Sequence, residues 1–219
     1  MKTPHIEKEA VRPLLETPYM NAFDLSPEPG RHYYEVSRRR KDDLIALKSD
    51  RELKETLPDA VSCFIIVKTP DEEPRLLLQY EYRYPAGRFL LGITAGLLDS
   101  ADKNEPDPLY ACARREIFEE TGLTLSENDR FTVLSPFVFS TPGLTDESNA
   151  LIGAVISLPD LSALTSEGEE GTECIGSYRL VGRKEAEKLL ADGRDTDGSP
   201  YPLFCWCALS WFVSGSWEG

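Results

Sequence analysis

The sequence predicts an α+β protein: an α/β/α sandwich, with a mixed sheet between helices, preceded by an N-terminal β arm. Three observations lead there. Apolar extended runs crowd the stretch from Ala60 to Asp99 and recur at 131–139 and 149–157. One well-punctuated helix interrupts them at 108–121, and two further helical segments follow at 183–193 and 203–215. Strands gathered around a central helix, with helices after them, can bury their apolar faces only in layers. The change of texture at Ala60 divides the chain into an arm, residues 1–59, and a main domain, residues 60–219.

In the arm, Pro4, Pro13, Pro18, Pro27 and Pro29 punctuate the chain, and little core of its own is expected. Tyr33 to Asp43 reads as an edge strand running into a basic turn, with Arg38 to Arg40 solvated. VSCFIIV at 61–67 and RLLLQYEYRYP at 75–85 flank the turn-rich TPDEEP, which is the pattern of a hairpin. After a bend at Ala86 to Arg88, FLLGITAGLLD is a further extended run, ending near Ala95-Gly96 and followed by the polar insertion DSADKNEPD. The central helix is marked at both ends. Asp107 suits the N-cap, Pro108 the first helical position, and Gly122 a left-handed stop. RKEAEKLLADG at 183–193 is amphipathic, and LFCWCALSWFVSG at 203–215 is apolar but well short of the roughly 18 residues of a membrane span. Its Phe204, Trp206, Trp211 and Phe212 read as helix packing or a dimer contact.

Composition narrows the function. In 219 residues, 24 Lys and Arg face 38 Asp and Glu, a net charge of -14. That balance disfavours a nucleic acid partner, whose binding rests on basic side chains neutralising phosphates. A small anionic substrate would need local arginines or a metal ion. Five cysteines without a CxxC pair suggest neither a disulfide framework nor a zinc site, and together with a leader lacking an apolar region they imply a cytoplasmic protein with no membrane partner. His5 and His32 are given no catalytic role.

The strongest local feature is Arg115-Glu116-Ile117-Phe118-Glu119-Glu120-Thr121-Gly122-Leu123. Glu116, Glu119 and Glu120 stand at i, i+3 and i+4 on the predicted helix, so their carboxylates should share a face and repel unless a hard cation takes them up. A solvated acidic face would carry the same string, but the glycine loop before it and the Thr-Gly stop after it frame it differently. The stretch from Gly96 to Leu123 resembles the Nudix signature, Gx5Ex7REUxEExGU, and all nine positions from Arg115 match. The first half departs. Asp107 stands eight residues before Arg115, where the signature has Glu, and Gly96 stands eleven before Asp107 rather than six; Glu105 competes for the same role. Gly92-Ile93-Thr94-Ala95-Gly96 also lacks the Glu and Pro common before this loop in relatives that hydrolyse ADP-ribose.

EYRYPAGRFLL, SPFVFSTPGLTDESNAL and HYYEVSRR resemble the corresponding segments of ADP-ribose pyrophosphatase-like Nudix enzymes. The resemblance implies a Mg²⁺-dependent hydrolase, with Mn²⁺ as a substitute, that cleaves a nucleoside diphosphate derivative, first ADP-ribose to AMP and ribose 5-phosphate. Another nucleotide sugar or dinucleotide, and a non-catalytic nucleotide-binding module, are the alternatives. Glu116 and Glu120 would be metal ligands, with Glu119 beside them and the Ala95 carbonyl completing the set. Arg115 would orient the glutamates. Glu147 would be the base that deprotonates water, with Glu120 or a water activated by the ion as the alternative. Arg83 is a candidate phosphate contact. An aromatic platform for a base would come from Tyr33, Tyr34, Tyr82 or Tyr84, Tyr34 and Tyr82 foremost, although strand alternation would bury half of these rings. A homodimer is implied as well.

Overall fold

The structure is a computed structural model that describes residues 5–161, 164 and 174–219. It comprises two compact units, Met1–Asp59 with Phe137–Asn149, and Ala60–Pro136 with Ala150–Gly219.

In the first unit, β1 (Val11–Glu16), β2 (Asn21–Leu25) and β3 (Tyr33–Ser37) form an antiparallel sheet in that order. The arm was expected to have little core, yet Val11, Phe23, Leu25 and Leu44 form a buried cluster of their own. The reason is the central strand: β2 pairs on both edges and buries Asn21, Phe23, Asp24 and Leu25. The short helix α1 (Asp50–Glu55) starts from a reciprocal cap, in which Ser49 accepts from the Glu52 amide while Glu52 accepts from that of Ser49. Val36 on β3 bridges to Thr145, which ties the 141–147 loop to this sheet.

The second unit is built on β4 (Ala60–Thr69) and β5 (Glu72–Arg83), the expected hairpin, with Ile65 opposite Leu77. β6 (Arg88–Gly92) pairs with β5, and β7 (Thr94–Leu97) pairs with β4. β8 (Arg130–Phe139) and β9 (Ser148–Ser157) extend the sheet, which runs β10-β5-β4-β9-β8. The backbone bonds Asp59 N to Ser148 O and Leu158 N to Lys68 O join equivalent ends of β4 and β9, so these two strands run parallel and the sheet is mixed. Sequence reasoning missed β10 (Ile175–Val181), which adds to the free edge of β5.

Alternation along β4 sets the layers. Val61, Cys63, Ile65 and Val67 face one side and pack with Cys112, Ala113 and Ile117 of α2 (Pro108–Thr121). Phe64 and Ile66 face the other and pack with Ala186 and Leu189 of α3 (Arg183–Asp192), and with Ala208, Leu209 and Phe212 of α4 (Leu203–Ser214). The layered α/β/α expectation therefore holds. Among the described residues no helix is long and apolar enough to cross a membrane.

Candidate functional site

The central helix begins and ends where its punctuation places it. Asp107 Oδ1 accepts from the Tyr110 amide at 3.2 Å, Pro108 occupies the first turn, and Gly122, at φ 73°, closes the helix with its amide on the Phe118 carbonyl. One face of α2 packs on the sheet through Ile117, which turns Glu116 and Glu120 inward beside it; both are almost fully buried, at 5% and 3% exposure. Glu119 is half-buried and Phe118 points outward.

Arg115 organises the helix. Its Nη1 donates to Glu116 Oε1 at 2.8 Å and to Glu119 Oε2 at 2.9 Å. Its Nη2 donates to Asp102 Oδ2 at 2.7 Å and to the Leu97 carbonyl at 2.9 Å. Asp102 lies in the polar insertion, in a 3-10 turn, and is buried. Burial alone would raise its pKa, but the hydrogen bonds from Arg115 and from the Asp99 amide outweigh that and hold the carboxyl below the usual range. Burial likewise opposes the Arg115 charge, and the bonds to Asp102 and the field of Glu116 reverse the effect and push its pKa up. Arg115 is thus met by Asp102 as well as by Glu116 and Glu119, and by neither Asp107 nor Glu105, the two candidates for the signature's first Glu. Asp107 is spent as the helix cap, and Glu105 is exposed. Asp102 stands six residues after Gly96, the interval of the signature's first half, so counting forward from the glycine would have found it; the five inserted residues displace only the count back from Arg115.

Glu120 is held separately. Gln79, buried on β5, donates from Nε2 to Glu120 Oε2 at 2.7 Å, and Thr94 Oγ1 donates to Gln79 Oε1 at 3.4 Å. Tyr178 on β10 donates its hydroxyl to the Glu120 carbonyl. A Gln in the middle of an apolar strand was the available signal for this contact. Arg115 thus meets Glu116 and Glu119, and Gln79 meets Glu120, all three on the one helix. Among the described residues no three His, Cys, Asp or Glu side chains are gathered as a metal site.

Ala95 lies on β7 opposite Ser62, next to Gly96. A Cβ at Gly96 would stand 1.9 Å from Glu116 Cδ and Oε1, so the glycine is required for space and not for backbone conformation. The Glu116 carboxylate occupies the volume that any other residue at 96 would fill. These donors, carboxylate and carbonyl oxygens, fit a hard divalent cation, which would compete with Arg115 Nη1 for Glu116 and Glu119. Beneath them lies the Cys63 thiol, whose pKa is raised by burial first and then by the charges of Glu120, Cys112 and Glu116.

Elsewhere in the same unit, Arg83 Nη2 meets Glu81 Oε2 at 2.6 Å. Tyr82 packs edge-on against Tyr84 and Phe89. On α4, Phe212 is buried, Phe204 and Trp211 pack against the core, and Trp206 is largely exposed.

In the first unit, Glu147 Oε2 accepts from Arg38 Nε at 2.9 Å. Arg39 is not solvated as expected. Its guanidinium is buried against Asp59 at 2.8 Å and Asp146 at 3.4 Å, and it also donates to the Asp146 carbonyl and Ser148 Oγ. Two acids flanking one planar donor explain the burial and leave it no free donor set for a phosphate. Arg40 donates to Asn21 Oδ1. Glu35, buried nearby, has its pKa raised to about 7, chiefly by burial and also by the Asp146 charge, with Arg39 opposing. Tyr33 donates its hydroxyl to the Gly143 carbonyl, and the exposed Tyr34 stacks on His32. None of the four candidate tyrosines is fully buried.

Helices on both faces of a mixed sheet, one of them carrying an arginine-tied acidic cluster against a glycine, define an α/β/α protein with a buried acidic site. The chain belongs to the Nudix family: the NUDIX domain matches residues 56–204. It is 37% identical over 100 residues to an uncharacterized Nudix hydrolase of Schizosaccharomyces pombe, covering 46% of this chain and 44% of that protein. It is 34% identical over 77 residues to a nudix hydrolase of Caenorhabditis elegans, covering 35% and 31%. These matches thus span less than half the length of either relative. A crystal structure of an ADP compounds hydrolase has a similar fold, with TM-score 0.55 and 18% identity over 99% of this chain and 95% of that one. Members of the family generally use a divalent metal.

Proposed function

We propose that this protein is a Mg²⁺-dependent pyrophosphohydrolase of nucleoside diphosphate derivatives, with ADP-ribose, cleaved to AMP and ribose 5-phosphate, as its first candidate substrate. The observation that carries the reading is the buried Glu116 carboxylate seated in the space left by Gly96 and tied with Glu119 to Arg115. A solvated acidic face would need neither the glycine nor the burial.

In this reading Glu116, Glu119, Glu120 and the Ala95 carbonyl hold the ion. Bound there, Mg²⁺ would neutralise the diphosphate oxygens and lower the pKa of an attacking water. Arg115 positions Glu116 and Glu119, and Gln79 positions Glu120. For the base that takes the proton of the attacking water, Glu147, which accepts from Arg38, is the candidate, with Glu120 or a water activated by the ion as the alternative. Arg83 contacts a phosphate, while Tyr34 and Tyr82 offer ring faces to a base. The fold relative is named for ADP compounds, which puts ADP-ribose first. The reading retains a homodimer in a reducing, cytoplasmic setting, supported by five free cysteines.

A second reading, a nucleotide-binding module without catalysis, is favoured by one observation: Arg115 already occupies both Glu116 and Glu119. Incubation with ADP-ribose, UDP-sugars, dinucleotides and nucleoside triphosphates, with and without Mg²⁺, separates the two. Product from a diphosphate compound only with the metal is expected; binding without turnover across the panel overturns hydrolysis in favour of the module.

A further inference from the structure

On the sheet face opposite α2, a cavity of about 870 Å³ opens between the end of the β4–β5 hairpin, the start of α3, and the end of α4 with the residues after it. Lys68 continues the series Phe64 and Ile66 on β4, so the cavity belongs to the face that α3 and α4 cover and not to the face that carries Glu116. Its volume lies in the range of small-molecule sites.

The lining has an apolar part and a cationic part. Phe212 and Trp217 stack with ring centroids 5.8 Å apart, and Pro74 adds an apolar wall. Trp217 is 7% exposed and its indole N–H is bonded to the Phe212 carbonyl, so the ring is fixed in place. Lys68 holds its ammonium 5.4 Å from the Trp217 ring centroid. Arg75, Arg183 and Lys184 bring three more cations from β5 and α3. Three glutamates also line the space, but two are engaged: Glu185 accepts from Arg179 at 2.6 Å, and Glu218 meets Arg183 at 3.5 Å. Among the described residues Lys68 and Lys184 have no carboxylate within ion-pair distance. In a chain of net charge -14, such a pair beside one cavity is against the trend of the surface.

α3 also starts here without a side-chain cap, since its N-cap residue is Gly182. Its first amides therefore add positive potential to the same opening.

We infer that this cavity binds a small organic anion, a phosphate monoester with a flat apolar body. Lys68 and Lys184 meet the phosphate, and Pro74 with the small exposed part of Trp217, held in place by the buried Phe212, meets the body. The inference is independent of the hydrolase reading.

Phenyl phosphate is the probe, titrated against the Glu116→Gln chain so that the α2 site contributes no turnover, with tryptophan fluorescence and ligand-detected NMR as readouts. Saturable binding that weakens with added salt is expected, with Lys68→Glu/Lys184→Glu raising Kd roughly fivefold or more. Phenol and inorganic phosphate, each lacking half of the contacts, should bind more weakly. Circular dichroism confirms that the variants are folded; Lys184→Glu alone, at an exposed position, serves as the second variant. The inference is overturned by no saturable signal up to roughly 10 mM phenyl phosphate, by phenol binding equally well, or by unchanged affinity in both lysine variants.

Discussion

Replacing Asp102 by Asn keeps the side chain's shape and removes its charge. In the native protein that carboxylate takes Arg115 Nη2 at 2.7 Å, Nε at 3.4 Å and the Asp99 amide at 3.1 Å, with the side chain 6% exposed. Breaking one partner of a fully buried pair costs about 3–5 kcal/mol. Two features reduce this. The Arg115 side chain is 28% exposed, and it keeps Glu116 and Glu119. A loss of about 2 kcal/mol follows, near the value of one charge-assisted hydrogen bond. For a chain of this length that corresponds to a fall in Tm of about 4–8 °C. The pH dependence has a definite sign. Asp102 has a folded pKa below its unfolded value, so its contribution is present above the unfolded pKa and disappears as pH falls through the folded one. Urea unfolding followed by circular dichroism at pH 7 should therefore show the full difference from wild type, and the difference should shrink below about pH 4. Asp107→Ala, which removes only a cap, should cost about 1 kcal/mol. An Asp102→Asn chain within about 0.5 kcal/mol of wild type at pH 7, or an Asp107→Ala chain clearly less stable than it, would refute the assignment of Arg115's partner.

Three further outcomes follow from the same geometry. Gly96→Ala inserts a methyl into the Glu116 carboxylate; the chain should fold with a loss of about 1–3 kcal/mol, and any Mg²⁺-dependent turnover should fall roughly 100-fold, as steady-state rates would show. Gln79→Ala leaves Glu120 Oε2 without its 2.7 Å donor, and kcat should drop by about tenfold or more while KM changes little, whereas a purely structural role for Gln79 would lower Tm and leave kcat of the folded fraction unchanged. Glu35 has its pKa raised to about 7 in the folded state, so ionising it destabilises the fold as pH rises from its unfolded value toward 7. Glu35→Gln should gain stability relative to wild type across that window and hold the gain above it; a difference independent of pH between 4 and 8 would contradict the burial argument.

What the sequence revealed was local. Asp107, Pro108 and Gly122 mark helix ends through their own backbone chemistry, and α2 begins and stops where they stand. The hairpin of β4 and β5 and the extents of α3 and α4 follow from periodicity in the same way. What escaped depends on partners distant in the chain. Arg39 reads as solvated because a lone basic run usually is, and only the approach of Asp59 and Asp146 makes its burial affordable. Asp102 keeps the signature's interval from Gly96, but the insertion lies between it and Arg115, so a count made back from Arg115 lands on Asp107 and passes it by. β1 and β2 are hidden by prolines, which an edge strand such as β1 tolerates at Pro13. β10 has weak alternation, with only its end residues Ile175 and Val181 buried, and gains its order by pairing with β5. At the site, the spacing of Glu116, Glu119 and Glu120 placed them on one helix, but which of them Arg115 would hold and which Gln79 would hold is settled by tertiary packing.

The central claim is that the acidic cluster of α2 takes up a divalent cation. Titration with Mn²⁺ followed by electron paramagnetic resonance tests it most directly, because free and protein-bound ion differ in signal. The account predicts saturable binding in the wild-type chain, displaced by Mg²⁺ and lost or strongly weakened in Glu116→Gln and Glu120→Gln chains that retain their circular dichroism. Equal Mn²⁺ binding by the wild-type and both variant chains, or none by any of them, would contradict it.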